Sequence, residues 1–114
     1  MEIEPWGVRY VYFNDRTAYF IDVRPAIEYR AKHIAGTKNL PATGIIPGQK
    51  DKGEIRKAKN DGRLPYEDHN TRIICFGNSQ KAARRVAQAL AFEGFHNVSY
   101  FKGTFEEMEK ILKP

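Results

Sequence analysis

The sequence contains a single cysteine, Cys75, and a single tryptophan among its 114 residues. One cysteine cannot form a disulfide within the chain, and it excludes the cysteine clusters that hold zinc or iron–sulfur groups. No stretch approaches the roughly 18 consecutive apolar residues of a membrane span, and the amino terminus lacks the basic and apolar segments of a secretory signal. The composition therefore predicts a cytoplasmic protein of a reducing compartment, without a metal and without membrane association.

A large excess of one charge sign is also absent. There are 19 basic residues against 14 acidic ones, a formal net charge of +5, and the basic residues are scattered with the acidic ones among them. The densest basic stretch, residues 48–63, has six positive and three negative residues and very few apolar ones. This pattern is typical of a solvated loop or short helix. We therefore expect no nucleic-acid partner, although an anion-attracting face near a reactive site stays open.

Repeats, low-complexity tracts and linkers are missing as well, so residues 1–114 are predicted to form one domain. A chain of this length can bury roughly two-thirds of its unfolded surface, which is enough for a core without disulfides.

Short apolar runs rich in aromatic and β-branched residues predict buried strands. The predicted strands are Ala18–Val23, Lys38–Leu40, Arg72–Phe76 and Val98–Phe101. Between them, Pro25 is placed to begin a helix that runs to about Lys32. Residues 42–70 are rich in charge, glycine and proline, and predict a long connection with at most a short helix.

Two further helices are predicted in the second half of the chain. Apolar residues recur at helical spacing from Ala83 to Leu90, and Gly94 is suited to end that helix. The last helix follows Gly103, where Thr104 and Glu107 have the spacing of a capping box. Alternating strands and helices at these intervals favour an α/β fold with a mostly parallel sheet.

The amino-terminal segment, residues 8–20, is predicted as two short strands that turn at Asn14 and Asp15, with a first helix as the alternative. Aromatic residues are concentrated here, and we expect them in the core or at a sheet edge. They are Trp6, Tyr10, Tyr12, Phe13 and Tyr19.

The candidate for chemistry is Cys75, at the carboxyl end of a predicted strand, where ligands gather in open parallel sheets. Small or polar residues follow it and a helix begins at once; they are Gly77, Asn78, Ser79, Gln80 and Lys81. A curled backbone and a helix amino terminus attract anions and lower the pKa of a neighbouring cysteine. The alternative is that Cys75 is a small buried hydrophobe.

Three stretches of the sequence are similar to the rhodanese-like domains. They are FIDVRPAIEYRAKHIAGTKNLP (20–41), RIICFGNSQKAARRVA (72–87) and GFHNVSYFKGTFEEME (94–109). The resemblance implies an α/β fold with a central, mostly parallel sheet of about five strands flanked by helices. It also implies sulfur transfer: the Cys75 thiolate takes the outer sulfur of a donor such as thiosulfate, holds it as a persulfide and passes it to cyanide or a thiol.

The resemblance further implies which residues and partners take part. Residues Phe76, Gly77, Asn78, Ser79, Gln80 and Lys81 are expected to form the loop that binds the anionic donor. Asp22 and Arg24 are expected to pair, either to steady that loop or to close the strand as a structural ion pair. The partners would be a small anionic sulfur donor and a thiol-containing protein acceptor, and no cofactor is expected.

One departure from the family pattern weakens the enzyme hypothesis. Typical members have an arginine about five residues after the cysteine, whereas this chain has Gln80 there and Lys81 next. The alternative hypothesis is a catalytically weak or inactive module for protein binding or redox sensing. Its contact surface would be the charged connection at 48–63, including Lys57 and Lys59.

Overall fold

The computed structural model describes residues 1–45 and 53–114. The strands are β1 (Tyr19–Asp22), β2 (Thr37–Asn39), β3 (Ile73–Phe76) and β4 (Val98–Tyr100). The helices are α1 (Pro5–Asn14), α2 (Ala26–Ala31), α3 (Glu54–Asn60), α4 (Gln80–Phe92) and α5 (Phe105–Ile111), with a 3-10 turn at Ala42–Gly44. The described strands form one parallel sheet in the order β2-β1-β3-β4. The predicted α/β class is confirmed, with four strands rather than about five.

Successive side chains of the central strands point to opposite faces of the sheet and enter two separate cores. In β3, Ile73 and Cys75 lie in the core that is closed by α3 and α4. Ile74 and Phe76 lie in the core that is closed by α1 and α5. Because all four residues are fully buried, β3 is the centre of the domain.

Pro5–Asn14 is a helix, so the prediction of two strands is wrong there and the alternative of a first helix is confirmed. Pro5 occupies the first turn of α1, where its missing N–H costs nothing, and Val8 and Val11 bury one side of the helix. The guanidinium of Arg9 donates hydrogen bonds to the carbonyls of Ile111 and Lys113, which join α1 to the end of α5. Tertiary contacts therefore stabilise a helix whose residues favour strands.

Residues before α1 extend the sheet by one bridge. Ile3 N–H donates to the Tyr100 carbonyl (3.0 Å), and Tyr100 N–H donates to the Met1 carbonyl (2.8 Å). The exposed edge of β4 is thereby covered along part of its length.

The other predicted elements are close to their observed bounds. Thr104 and Glu107 form the predicted capping box of α5. Gly94 has a φ of +104° just after α4, which is the left-handed conformation that ends helices. The connection from 42 to 70 contains the short helix α3, while residues 46–52, which include the first five residues of the charged stretch 48–63, lie outside the described residues.

Candidate functional site at the carboxyl ends of the strands

Cys75 is the third of the four residues of β3, and none of its surface is exposed. Its register partner in β1 is Ile21, and both side chains belong to the core beneath α4. Ala83 and Val86 of α4 belong to the same core. The thiol therefore lies under a helix and does not project from the end of the strand toward the loop.

This position determines the ionisation of the thiol. Burial in apolar surroundings raises the pKa of Cys75 from 9.0 to about 12, because the thiolate would lose its hydration. The amino-terminal ammonium opposes this shift only weakly. The prediction of a lowered thiol pKa is wrong, because the side chain faces the core and not the predicted anion pocket.

The first position after β3 is Gly77, and it has no room for a side chain. A Cβ atom there would lie 2.6 Å from Cγ2 of Val23 and 3.6 Å from the Arg24 backbone nitrogen. Val23 N–H donates to the Phe76 carbonyl (2.8 Å), which holds the two chain segments together at this point. The close approach of the segment after β1 explains why glycine stands where the chain leaves the sheet.

The residues predicted to form one anion-binding loop are divided among three structural elements. Phe76 lies in β3 with its ring in the opposite core, and Gln80 and Lys81 already belong to α4. Only Gly77, Asn78 and Ser79 form the loop. The Ser79 hydroxyl accepts a hydrogen bond from Ala82 N–H and caps α4. Anion binding by these residues remains a prediction.

Asp22 and Arg24 form the predicted ion pair, with Arg24 only 6% exposed and Asp22 fully buried. Nε and Nη2 of Arg24 donate to both carboxylate oxygens at 2.9–3.1 Å, and Arg24 N–H donates to the same carboxylate. The guanidinium also donates to the Lys32 carbonyl and stacks 3.5 Å from the centre of the Phe105 ring. The predicted pairing is confirmed at the end of β1, while its two expected roles, closing the strand and steadying the loop, stay predictions.

Two asparagines support this edge of the sheet, although the sequence interpretation assigned no side-chain role to either. The Asn39 amide donates to the carbonyls of both Asp22 and Arg24 at 2.9 Å. The Asn78 amide donates to Glu28 Oε1 at 2.8 Å and joins the loop to α2. The Asn-Leu-Pro sequence that begins at the last residue of β2 is the available signal for Asn39, because an amide at a strand end is suited to bind free carbonyls.

In residues 1–45 and 53–114, no three His, Cys, Asp or Glu side chains come together in a way that would hold a metal ion. Within the same ranges, every helix is too short or too polar to cross a bilayer.

Three solved structures with a similar architecture are distant from this chain in sequence. A rhodanese-like domain of the Alr3790 protein from Anabaena has a TM-score of 0.73 at 18% identity, covering 99% of this chain and 76% of that one. A rhodanese with anions from Escherichia coli has a TM-score of 0.56 at 20% identity, covering 79% and 89%. These two likenesses establish the fold alone.

A third structure, of SseA from Escherichia coli, is described as showing the rhodanese fold and catalytic mechanism of 3-mercaptopyruvate sulfotransferases. It has a TM-score of 0.67 at 28% identity, and the match covers 90% of this chain but 40% of that one. A search of curated protein sequences finds no match. The model of the rhodanese-like domain, by contrast, matches residues 12–110, which is most of the chain. This match agrees with the parallel sheet flanked by helices, and the chain belongs to the family of rhodanese-like domains.

Proposed function

We propose that this rhodanese-like domain binds a partner protein and does not carry sulfur on Cys75. The observation that carries the proposal is the position of the Cys75 thiol, which is fully buried beneath α4 and has a pKa of about 12. Sulfur transfer requires a thiolate that a donor can reach. At pH 7, a thiol of that pKa is ionised in roughly one molecule in 10⁵.

The edge of the sheet also supports a non-catalytic role. The tight approach of Val23 to Gly77 excludes a nucleophilic side chain at the start of the loop. The buried Arg24 guanidinium is bound to Asp22 and Lys32 and stacked on Phe105, so it is not directed at an anionic donor. A thiosulfate ion at the carboxyl ends of β1 and β3 would therefore contact neither the Cys75 thiolate nor a free Arg24 guanidinium.

Persulfide formation on Cys75 is the second candidate, favoured by membership of a family that includes sulfur-transferring enzymes. In that reaction the Cys75 thiolate attacks the outer sulfur of thiosulfate, a new S–S bond forms, and the donor's S–S bond breaks to release sulfite. In this fold, α4 would first have to separate from β3 to expose the thiol.

Intact-mass measurement after incubation with thiosulfate, and separately with glutathione persulfide, distinguishes the two candidates. We expect no gain of a sulfur atom by the native chain, and the same result for Cys75→Ser. A known rhodanese treated in parallel shows that the donors are active. A sulfur adduct on the native chain that is absent from Cys75→Ser would overturn the proposal.

A further inference from the structure

The helices on the two sides of the sheet differ in charge. Helices α3 and α4, which close the core containing Cys75, carry six basic residues and one acidic residue. Helices α1, α2 and α5 carry three basic and four acidic residues. Among the charged residues of the helices, the positive excess therefore lies on the α3–α4 side, where it favours an anionic partner.

The outward side of α4 forms one continuous stripe. Residues three or four apart lie above one another on a helix, and here they are Lys81, Arg84, Arg85, Gln88, Ala91 and Phe92. All of these except the partly buried Arg85 are exposed, and Phe92 has 56% of its surface accessible. The stripe is cationic over its amino-terminal half and apolar at its carboxyl end, over about 17 Å.

Two shallow grooves run along this stripe and share Arg84 and Gln88. The first is lined by polar and basic side chains of α4 alone, from Gln80 to Gln88. The second lies between α4 and the edge strand β4, and its apolar lining residues are Met1, Ala87, Ala91, Val98 and Tyr100. A segment lying along α4 would therefore contact cations first and apolar side chains next.

The cations of α4 have no ion-pair partner in the part of the chain that the structure describes. Among the described residues, no carboxylate lies within ion-pair distance of Lys81, Arg84 or Arg85. Lys81 also lies in the first turn of α4, which contains no acidic residue, and the helix dipole disfavours a cation there. Carboxylates of a partner would offset both the mutual repulsion of these cations and the unfavourable position of Lys81.

We propose that this α4 stripe docks an acidic amphipathic segment of a partner protein, an inference that rests on the proposed binding function. Carboxylates of the segment pair with Lys81, Arg84 and Arg85, and its apolar side chains cover Phe92 and the groove beside β4. A nucleic acid would pair its phosphates with the three cations but would leave Phe92 and that groove uncovered. A protein segment matches both halves of the stripe.

The probe is an amphipathic peptide of about 20 residues, which is long enough to span α4. One half of its length carries glutamates and the other half carries leucines. Binding to the ¹⁵N-labelled native chain is followed by amide chemical shifts. We expect the largest shifts in α4 and β4, and no binding by the same peptide with lysine in place of glutamate. Shifts confined to another surface, or no binding of the glutamate peptide, would overturn the inference.

Two matched variants each reverse three positive charges, one on α4 and one at positions outside α3 and α4. We expect Lys81→Glu/Arg84→Glu/Arg85→Glu to weaken peptide binding at least about tenfold. The control Arg16→Glu/Arg30→Glu/Lys113→Glu changes the net charge equally, at exposed positions that form no ion pair with the described residues, and should weaken binding less than about twofold. Equal loss in both variants would show that net charge alone attracts the peptide and would contradict the inference.

Two competing ligands and the sulfur assay complete the test. A DNA duplex or a phosphatidylserine vesicle that binds more tightly than the peptide, with the same dependence on the α4 charges, would replace the protein segment as the preferred occupant and overturn the inference. The proposed function is tested independently of the docking inference, because sulfur uptake by Cys75 is measured by mass in the absence of the peptide. If Cys75 stays inert and the peptide does not bind α4, the docking inference alone fails.

Discussion

Ile21 and Cys75 are register partners in neighbouring parallel strands, and both side chains lie on the sheet face that α4 covers. A parallel strand buried on both faces sends every second side chain to the same core. The Cys75 side chain therefore lies on the same face of the sheet as Ile73, while Phe76 lies in the opposite core. This regular alternation explains why the Cys75 thiol lies in the core and not at the loop.

The buried thiol predicts a specific dependence of stability on pH. The unfolded chain loses the Cys75 proton above about pH 9, whereas the folded chain keeps it until about pH 12, so the free energy of unfolding falls as the pH rises through this window. We expect the native chain to lose stability relative to Cys75→Ala by about 1.4 kcal/mol per pH unit above pH 9. Urea unfolding of both chains at several pH values measures the difference.

The comparison with Cys75→Ala removes the contributions of tyrosines and lysines that titrate in the same range, because both chains share them. A constant difference in unfolding free energy from about pH 8 to pH 11 would show that the folded thiol ionises normally. Labelling with a thiol reagent gives an independent check: we expect slow reaction of Cys75 in the native chain and immediate reaction in urea.

The contact of Gly77 with Val23 predicts an intolerance to any side chain at position 77. The Cβ of Gly77→Ala would lie 2.6 Å from Val23 Cγ2, so one of the two segments must move. We expect a loss of about 1–3 kcal/mol in the free energy of unfolding, the range for overpacked cores. Denaturant unfolding of Gly77→Ala measures it. The double variant Gly77→Ala/Val23→Ala should lose less than the sum of the two single variants, and strictly additive losses would contradict the clash.

The Asp22–Arg24 pair predicts a large loss of stability when either partner is removed alone. Arg24→Met leaves the fully buried Asp22 carboxylate without its guanidinium, and we expect a loss of about 3–5 kcal/mol. Asp22→Asn/Arg24→Met removes both charges and should lose less than the two single variants together. Chemical denaturation of the three chains tests the coupling. An Arg24→Met chain as stable as the native one would mean that the pair does not hold the end of β1.

The sequence predicted those features whose chemistry is local. The Asp22–Arg24 pair joins residues two apart, and the capping box joins Thr104 to Glu107 within one helical turn, so their partners are visible in the chain itself. The direction of Cys75 was not visible in this way. All four residues of β3 are apolar and buried, so the alternation that reveals strand faces is absent, and a shift of one residue reverses every side chain.

Helix α1 is only the alternative prediction for its segment, and the reason is different. Its valines, tyrosines and phenylalanine favour strands, and only Pro5 at the first turn signals a helix. The deciding contacts are long-range, since Val8 and Val11 pack into the core with α5 and Arg9 binds the carbonyl of Ile111. The aromatic residues expected in the core are partly excluded from it, because Trp6, Tyr10 and Phe13 are 76%, 65% and 44% exposed.

Because Trp6 is exposed and Val8 is buried, we expect substitutions at these two positions of α1 to change stability by different amounts. Trp6→Ala removes a large side chain that is mostly in solvent, and we expect the free energy of unfolding to change by less than about 0.5 kcal/mol. Val8→Ala removes two methyl groups from a fully buried site and should cost about 2 kcal/mol. Thermal and urea unfolding of both variants compare them directly. A Trp6→Ala chain less stable than Val8→Ala would show that the aromatic residue, and not the valine, attaches α1 to the sheet.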